Sequence, residues 1–434
     1  MQKMKNYLQK ITNSRVAKDL SIVFTENILT RGLNFLIIIM LSRLLGPSDY
    51  GKYSFIFVAM AFCSAFFDFG MENTAVRFSN REKATKNSIF GLYFLTKFII
   101  LSVVTLTLIF FGRAIFITIH KEELLIYLPY LIVGIIGESL LFINDTYLQA
   151  VQQYVLRATI NVSRYVIGLS YIIILYFKKL LLLKYVFLVY FIPLGISSLF
   201  FFKYINFLKT FFNQKLDKAL FLEIVNYERW MMNSSIGTNI LGRIDFLMLS
   251  FWVGYAQIGI YNAAFQLTSI VSFLPYVFGK VILPKMSGLS PEDACGFTKK
   301  LFKPVAAISL IIVCFIPLAA FVIPLVFGDE YRASIVILQV LLFAFAIAFL
   351  TFPFEQALYS LGKPKIIALG KYLQIVIIVT LNILTIPRFG MLWAAINVVI
   401  GRLFLAVMLA TLFIKKEKEL KNNDICVKNL VVEG

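Results

Sequence analysis

Apolar residues along this chain come in long runs separated by short polar gaps. A helix needs about 20 mostly apolar residues to cross a bilayer, and about twelve such runs can be traced. They lie near 20–45, 53–70, 88–111, 124–144, 155–177 and 183–202 in the first half, and near 228–253, 259–283, 304–327, 332–356, 365–386 and 391–413 in the second. Strands of a membrane barrel would alternate apolar and polar at every second residue, and these runs do not. The pattern predicts an all-α polytopic membrane protein of about 12 transmembrane helices in two lobes. One gap is different in kind. Between Lys203 and Tyr227, the residues Ile205, Leu208, Phe212, Leu216, Leu220 and Ile224 recur at helical spacing among lysines, which reads as an interfacial amphipathic helix. The expected division is a first lobe over 1–202, a linker over 203–227, a second lobe over 228–414 and a cytoplasmic tail over 415–434.

The two halves repeat each other. Gly46-Pro-Ser-Asp-Tyr-Gly51-Lys-Tyr53 follows the first run, and Gly254-Tyr-Ala-Gln-Ile-Gly259-Ile-Tyr261 follows the seventh. Paired glycines suit a tight interhelical turn and Tyr suits the interface level of the next helix. At nearly the same offset, Asp145-Thr-Tyr-Leu148 stands opposite Glu355-Gln-Ala-Leu358, and His120-Lys-Glu122 opposite Gly328-Asp-Glu330. Repeats of like topology are those of alternating-access transporters, which place the substrate between the halves.

Composition agrees with a membrane protein and adds a puzzle. Hydrophobic residues make up 60% of the 434, charged residues only 15%, and mean hydropathy is +0.84, yet 42 Lys+Arg against 23 Asp+Glu give a formal charge of +19. A nucleic-acid-binding domain gathers its cations on one solvated face; here they are scattered through the gaps, which excludes nucleic acid as partner. The four cysteines make no secreted disulfide framework. The single histidine, His120, is a solvated loop residue that leaves neither a zinc site nor a His-based triad, and no metal or cofactor is expected. The first run continues to about Leu45 without a small-residue cleavage site, so it reads as a retained helix and not a secretory signal. With the N-terminus inside, most Lys and Arg fall in cytoplasmic segments, which puts both termini in the cytoplasm. The loop from Lys178 to Lys184 dissents.

Some cations sit where lipid should reject them: Arg31, Lys97, Arg164, Arg229, Arg243, Lys280, Lys371 and Arg402. Arg229 and Lys280 are near span ends and can snorkel. Arg31 falls about 16 Å past Leu20 at 1.5 Å per residue, near mid-bilayer. Asn27, Arg31 and Asn34 share one face of the first helix; Ser235, Asn239, Gly242 and Arg243 form the matching face of the seventh, and Asn262, Gln266 and Ser269 a stripe on the eighth. These residues either bond between packed helices or line a polar cavity, and a deep Arg with no adjacent acid favours the cavity. Acids within the spans are fewer: Glu26, Asp68, Glu138, Asp145, Glu228, Asp245 and Glu355. Glu138 pairs with Lys97, pairs with Arg164 or carries a coupling proton, and Asp68 is a second candidate for ion coupling. The excess of deep cations points to an anionic ligand, foremost a phosphate or diphosphate, whose oxygens guanidinium groups bind in pairs.

The stretch from Arg31-Gly-Leu-Asn-Phe through Arg43-Leu-Leu-Gly-Pro-Ser-Asp-Tyr-Gly-Lys-Tyr53, followed by Asp68-Phe-Gly70, resembles the polysaccharide-transporter branch of the MOP flippase superfamily, the O-antigen and capsule repeat-unit flippases. Ile258-Gly-Ile-Tyr-Asn-Ala-Ala264, Phe327-Gly-Asp-Glu-Tyr331, Leu361-Gly-Lys-Pro364 and Ile386-Pro-Arg-Phe-Gly390 extend the resemblance along most of the chain. It implies a MOP/MATE-like fold of two six-helix lobes around a cationic central cavity, in the bacterial cytoplasmic (inner) membrane. It also implies a substrate of undecaprenyl diphosphate carrying an oligosaccharide, moved from the cytoplasmic to the outer leaflet, with a polysaccharide polymerase and a chain-length regulator as partners besides membrane lipid. Arg31 falls where the family tends to have a first-helix cation. The expected substrate-binding set is Arg31, Arg243, Lys97, Arg164, Lys371 and Arg402 for acidic groups, and Asn27, Asn34, Asn239, Asn262 and Gln266 for sugar hydroxyls. Two rivals stay open: a multidrug or small-solute antiporter of the same superfamily, and a polytopic O-antigen polymerase, which would carry a large outer loop that is missing here.

Overall fold

The computed structural model describes residues 15–81, 86–213, 217–271, 275, 278, 282, 286, 289–361 and 363–432. Every regular element among them is helical. Eight of these helices are long and apolar enough to cross a membrane, and a bent pair, Leu183–Ser198 and Phe202–Phe212, supplies a ninth span if its 55° break is counted as one. Large side chains such as Phe110, Phe177 and Leu199 stand exposed on the outside, an arrangement that only a lipid solvent tolerates over this much surface. The chain is a multi-pass, all-α membrane protein. It forms two compact units that divide between Asn239 and Ile240.

The first unit begins with α1 (Arg15–Phe66), followed by α2 (Met71–Arg81), α3 (Lys86–Thr118), α4 (Leu128–Ala150), α5 (Tyr154–Phe177), α6 (Phe191–Ser198), α7 (Phe201–Asn213) and α8 (Lys218–Trp252). The first two apolar runs are joined inside α1 by a kink at Gly46, whose φ of 69° and ψ of 172° suit only a residue without Cβ. Pro47 follows and lacks the N–H that would have continued the first ladder. The amphipathic segment is helical as α7 over Phe201–Asn213, while 214–216 lie outside the described residues. Its apolar face packs on the first unit: Tyr204 stacks on Phe94 of α3 with centroids 4.8 Å apart and donates its hydroxyl to Asn144 of α4 at 2.7 Å. The boundary between the two compact units falls within α8, and Tyr204 and Phe207 are buried in the first of them.

The second unit contains α9 (Tyr255–Val271), α10 (Pro291–Cys314), α11 (Ala319–Phe327), α12 (Ser334–Ser360), α13 (Pro364–Phe389) and α14 (Met391–Val432). Much of the run near 259–283 beyond Val271 lies outside the described residues. The N-cap of α10 is Ser290, which accepts from the Asp293 amide with Pro291 at the first helical position. Asn397, fully buried on α14, donates to Asn382 and Thr385 of α13 at 2.8 Å each, a bond of the kind that fastens helices in lipid.

Candidate functional site

Three of the deep cations, Lys97, Arg164 and Lys371, are answered by an acid on a neighbouring element. In the first unit Lys97 of α3 meets Asp68 at 2.7 Å with both side chains buried, and Tyr93 donates to the same carboxylate at 3.1 Å. Arg164 of α5 grips Glu138 of α4 through both nitrogens, at 2.9 and 2.8 Å, and lies against the ring of Tyr165. Of the two basic partners open to Glu138, the structure pairs it with Arg164, and Lys97 pairs with Asp68. A third cluster was not foreseen. Arg157 of α5 binds both oxygens of Asp145 at 2.6 and 2.8 Å, and Asn161 bridges Asp145 and Glu26 at 2.8 and 2.6 Å. Arg157 reads as a loop cation in the sequence; its position a few residues past the helix-ending Gln152-Gln153, opposite Asp145, is the only signal of its role.

In the second unit Lys371 of α13 pairs with Glu355 of α12 at 2.7 Å. The premise that the deep cations lack adjacent acids thus fails for Lys97, Arg164 and Lys371. Helix-to-helix pairing, which the chain order of residues does not display, has neutralised them.

Arg243 and Arg402 are placed differently. Both line a cavity of about 370 Å³ within the second unit, together with Asp245 of α8, Phe265 of α9 and Gln374 of α13. The Arg243 guanidinium lies over the Phe265 ring at 4.6 Å, and Asp245 accepts a short hydrogen bond from Tyr261. Asp245 faces the same cavity as the two guanidinium groups. Gln374 was not singled out from the sequence, where it is one amide in an apolar run. Its interest appears only in three dimensions, since it is fully buried on the cavity wall.

The remaining expected residues are dispersed. Arg31 is exposed on α1, and Asn34 is half-buried. Asn27 turns its amide back onto the Val23 carbonyl at 2.7 Å. Asn239 donates to the Ala65 carbonyl at 2.9 Å, which serves packing within the first unit. Asn262 and Gln266 are buried on α9. A more open groove of about 650 Å³ runs between α1 and α5, with Lys18 and Glu26 among its polar residues and Leu29 and Val166 among its apolar ones.

Residues 16–290 match the family described as "Polysaccharide biosynthesis protein". An uncharacterized membrane protein of Methanocaldococcus jannaschii is 31% identical over 44% of this chain and 38% of its own length. A putative O-antigen transporter of Shigella flexneri is 27% identical over 42% of this chain and 45% of its own. The chain thus spans less than half the length of either curated relative. Among solved structures, the lipid II flippase MurJ in an inward closed conformation superposes with a TM-score of 0.65 at 16% identity, over 91% of this chain and 89% of that one. At that identity the likeness is one of fold, and it covers nearly the whole chain.

Proposed function

The chain belongs to the polysaccharide biosynthesis protein family, on the match over residues 16–290, and from that premise we propose that it is a flippase for undecaprenyl-diphosphate-linked oligosaccharide repeat units of O-antigen or capsule type. It carries the head group from the cytoplasmic to the outer leaflet of the bacterial inner membrane by alternating access, with both termini in the cytoplasm, and no covalent bond is made or broken. The O-antigen transporter name of one relative and the lipid-flippase fold support this reading.

The observation that carries it is the placing of two guanidinium groups, Arg243 and Arg402, on the wall of one cavity. Guanidinium forks suit phosphate and carboxylate oxygens. Arg31, Arg243 and Arg402 take the diphosphate or acidic sugars, and Asn27, Asn34, Asn239, Asn262 and Gln266 meet sugar hydroxyls. Lys97, Arg164 and Lys371 act with their acids, and Asp68 and Glu138 are the groups through which an ion couples. The polyprenyl tail stays in lipid, and a polymerase and chain-length regulator act on the delivered unit.

Deleting the gene should abolish surface glycan and accumulate the lipid-linked intermediate. Complementation with Arg31→Ala/Arg243→Ala should insert normally yet restore less than a tenth of wild-type glycan display. Full display by that double variant overturns the assignment of the two cations. Drug sensitivity with glycan intact would identify an antiporter, and display of single repeat units a polymerase.

A further inference from the structure

The internal repeat identifies what is unusual about the cavity in the second unit. Asp145 and Glu355 stand at equivalent positions near the ends of α4 and α12. Asn161 of α5 bonds the first acid at 2.8 Å and Lys371 of α13 bonds the second at 2.7 Å, at the same spacing from each. The helices α5 and α13 also begin in step, at Tyr154 and Pro364. In that register Glu138 corresponds to Ala348, and Arg164 to Gln374.

The first unit closes the two positions on each other, with Glu138 held by both nitrogens of Arg164. In the second unit the acid has become a methyl group and the guanidinium a carboxamide, and Ala348 and Gln374 both line the cavity. Gln374 is fully buried, and neither its Nε2 nor its Oε1 has a hydrogen-bond partner. Each buried polar group left in that condition costs about 1–3 kcal/mol, and native structures leave few of them without a reason. On the same wall, Thr268 and Ser269 donate to the Ala264 and Gln266 carbonyls of their own helix, so neither donates to Oε1 of Gln374. A Cβ on Gly401 would stand 2.7 Å from Cγ1 of Ile378 and 3.2 Å from Cγ of Gln374, so glycine there lets α14 approach both cavity residues of α13.

We propose that this cavity is a saccharide subsite that reads an anionic sugar by two of its features. A carboxamide sets one donor beside one acceptor, which matches a pair of adjacent hydroxyls: one donates to Oε1 while the other accepts from Nε2. Arg243 and Arg402 take the acidic group of the same sugar, a phosphate or a carboxylate. The Phe265 and Phe345 rings and Ile378 supply apolar wall for the face of a pyranose. The subsite rests on the transport reading and adds the class of sugar: acidic, with a free vicinal diol.

The test is binding to purified protein in detergent, with glucose 1-phosphate, glucuronate, glucose and inorganic phosphate as probes. Glucose 1-phosphate or glucuronate should bind at least tenfold tighter than inorganic phosphate and glucose, and whichever of the two binds tighter identifies the anion as phosphate or carboxylate. Gln374→Leu should reduce the sugar acid to the level of the simple anion while leaving inorganic phosphate unchanged. The pair Ala348→Glu/Gln374→Arg, which copies the first unit's ion pair into the second, should fold and lose sugar binding. Wild-type protein without preference for the sugar acid overturns the proposal, as does a preference that survives in either variant. Glycan display on gene deletion is scored separately: if display persists, the transport reading fails, and if display is lost while the preference is absent, only the subsite fails.

Discussion

Glu72, on α2 and outside the spans, shows how one side chain reports on its surroundings. Burial pushes its carboxyl up to about 7, helped by Asp68 and Asp145 and opposed by Lys97 and Arg157. The unfolded chain releases this proton near the ordinary Glu value and the folded chain only near 7, so the folded state holds the extra proton between those limits. Its contribution to stability is complete at low pH and declines as pH rises through 7. Glu72→Gln should raise the melting temperature at pH 8, by on the order of 2 kcal/mol of stability, and change it little at pH 4.5. Equal shifts at both pH values would remove the carboxyl from this account. Which residues were charged and deep was legible in the sequence; which were neutralised was not. Arg164 and Glu138 are separated by a helix end, a loop and a helix start, and their bond depends on how α4 and α5 pack. Gln374 carried no sequence signal because its distinction is a missing partner.

At the scale of elements, the runs foretold nearly every helix, and the repeated Gly-x4-Gly-x-Tyr block foretold where the first two runs turn. It did not foretell that its two copies differ. Gly46 sits at φ 69° at the kink between the two helical stretches of α1, whereas Gly254, in the break between α8 and α9, is not among the positive-φ glycines and has open space where a Cβ would go. Gly46→Ala should therefore cost about 1–3 kcal/mol, and Gly254→Ala under about 0.5 kcal/mol. Thermal unfolding in detergent measures both, and equal costs would mean that the kink does not need its glycine. The amphipathic segment was legible as a helix but not as part of one unit, because stacking of Tyr204 on Phe94 is a matter of tertiary packing.

For the whole molecule, the excess of positive charge divides into cations that orient the chain and cations held within it. The orienting share predicts that Glu123→Cys and Glu330→Cys, in a background stripped of the four native cysteines, react with an impermeant thiol reagent from outside the cell, and that Lys363→Cys does not. The opposite labelling would turn the protein over in the membrane. The cations held within have a consequence for how the chain is made. In the pairs Asp68–Lys97, Glu138–Arg164, Asp145–Arg157 and Glu355–Lys371, the acid always precedes the base along the chain. Synthesis delivers the N-terminal partner first. A carboxyl can enter lipid neutral by keeping a proton and an ammonium such as that of Lys97 or Lys371 by shedding one, whereas the guanidinium groups of Arg157 and Arg164 can do neither, so for these two the order matters most. Each basic side chain therefore emerges from the ribosome to find its acid already in the membrane, and the order of the sequence doubles as an order of insertion.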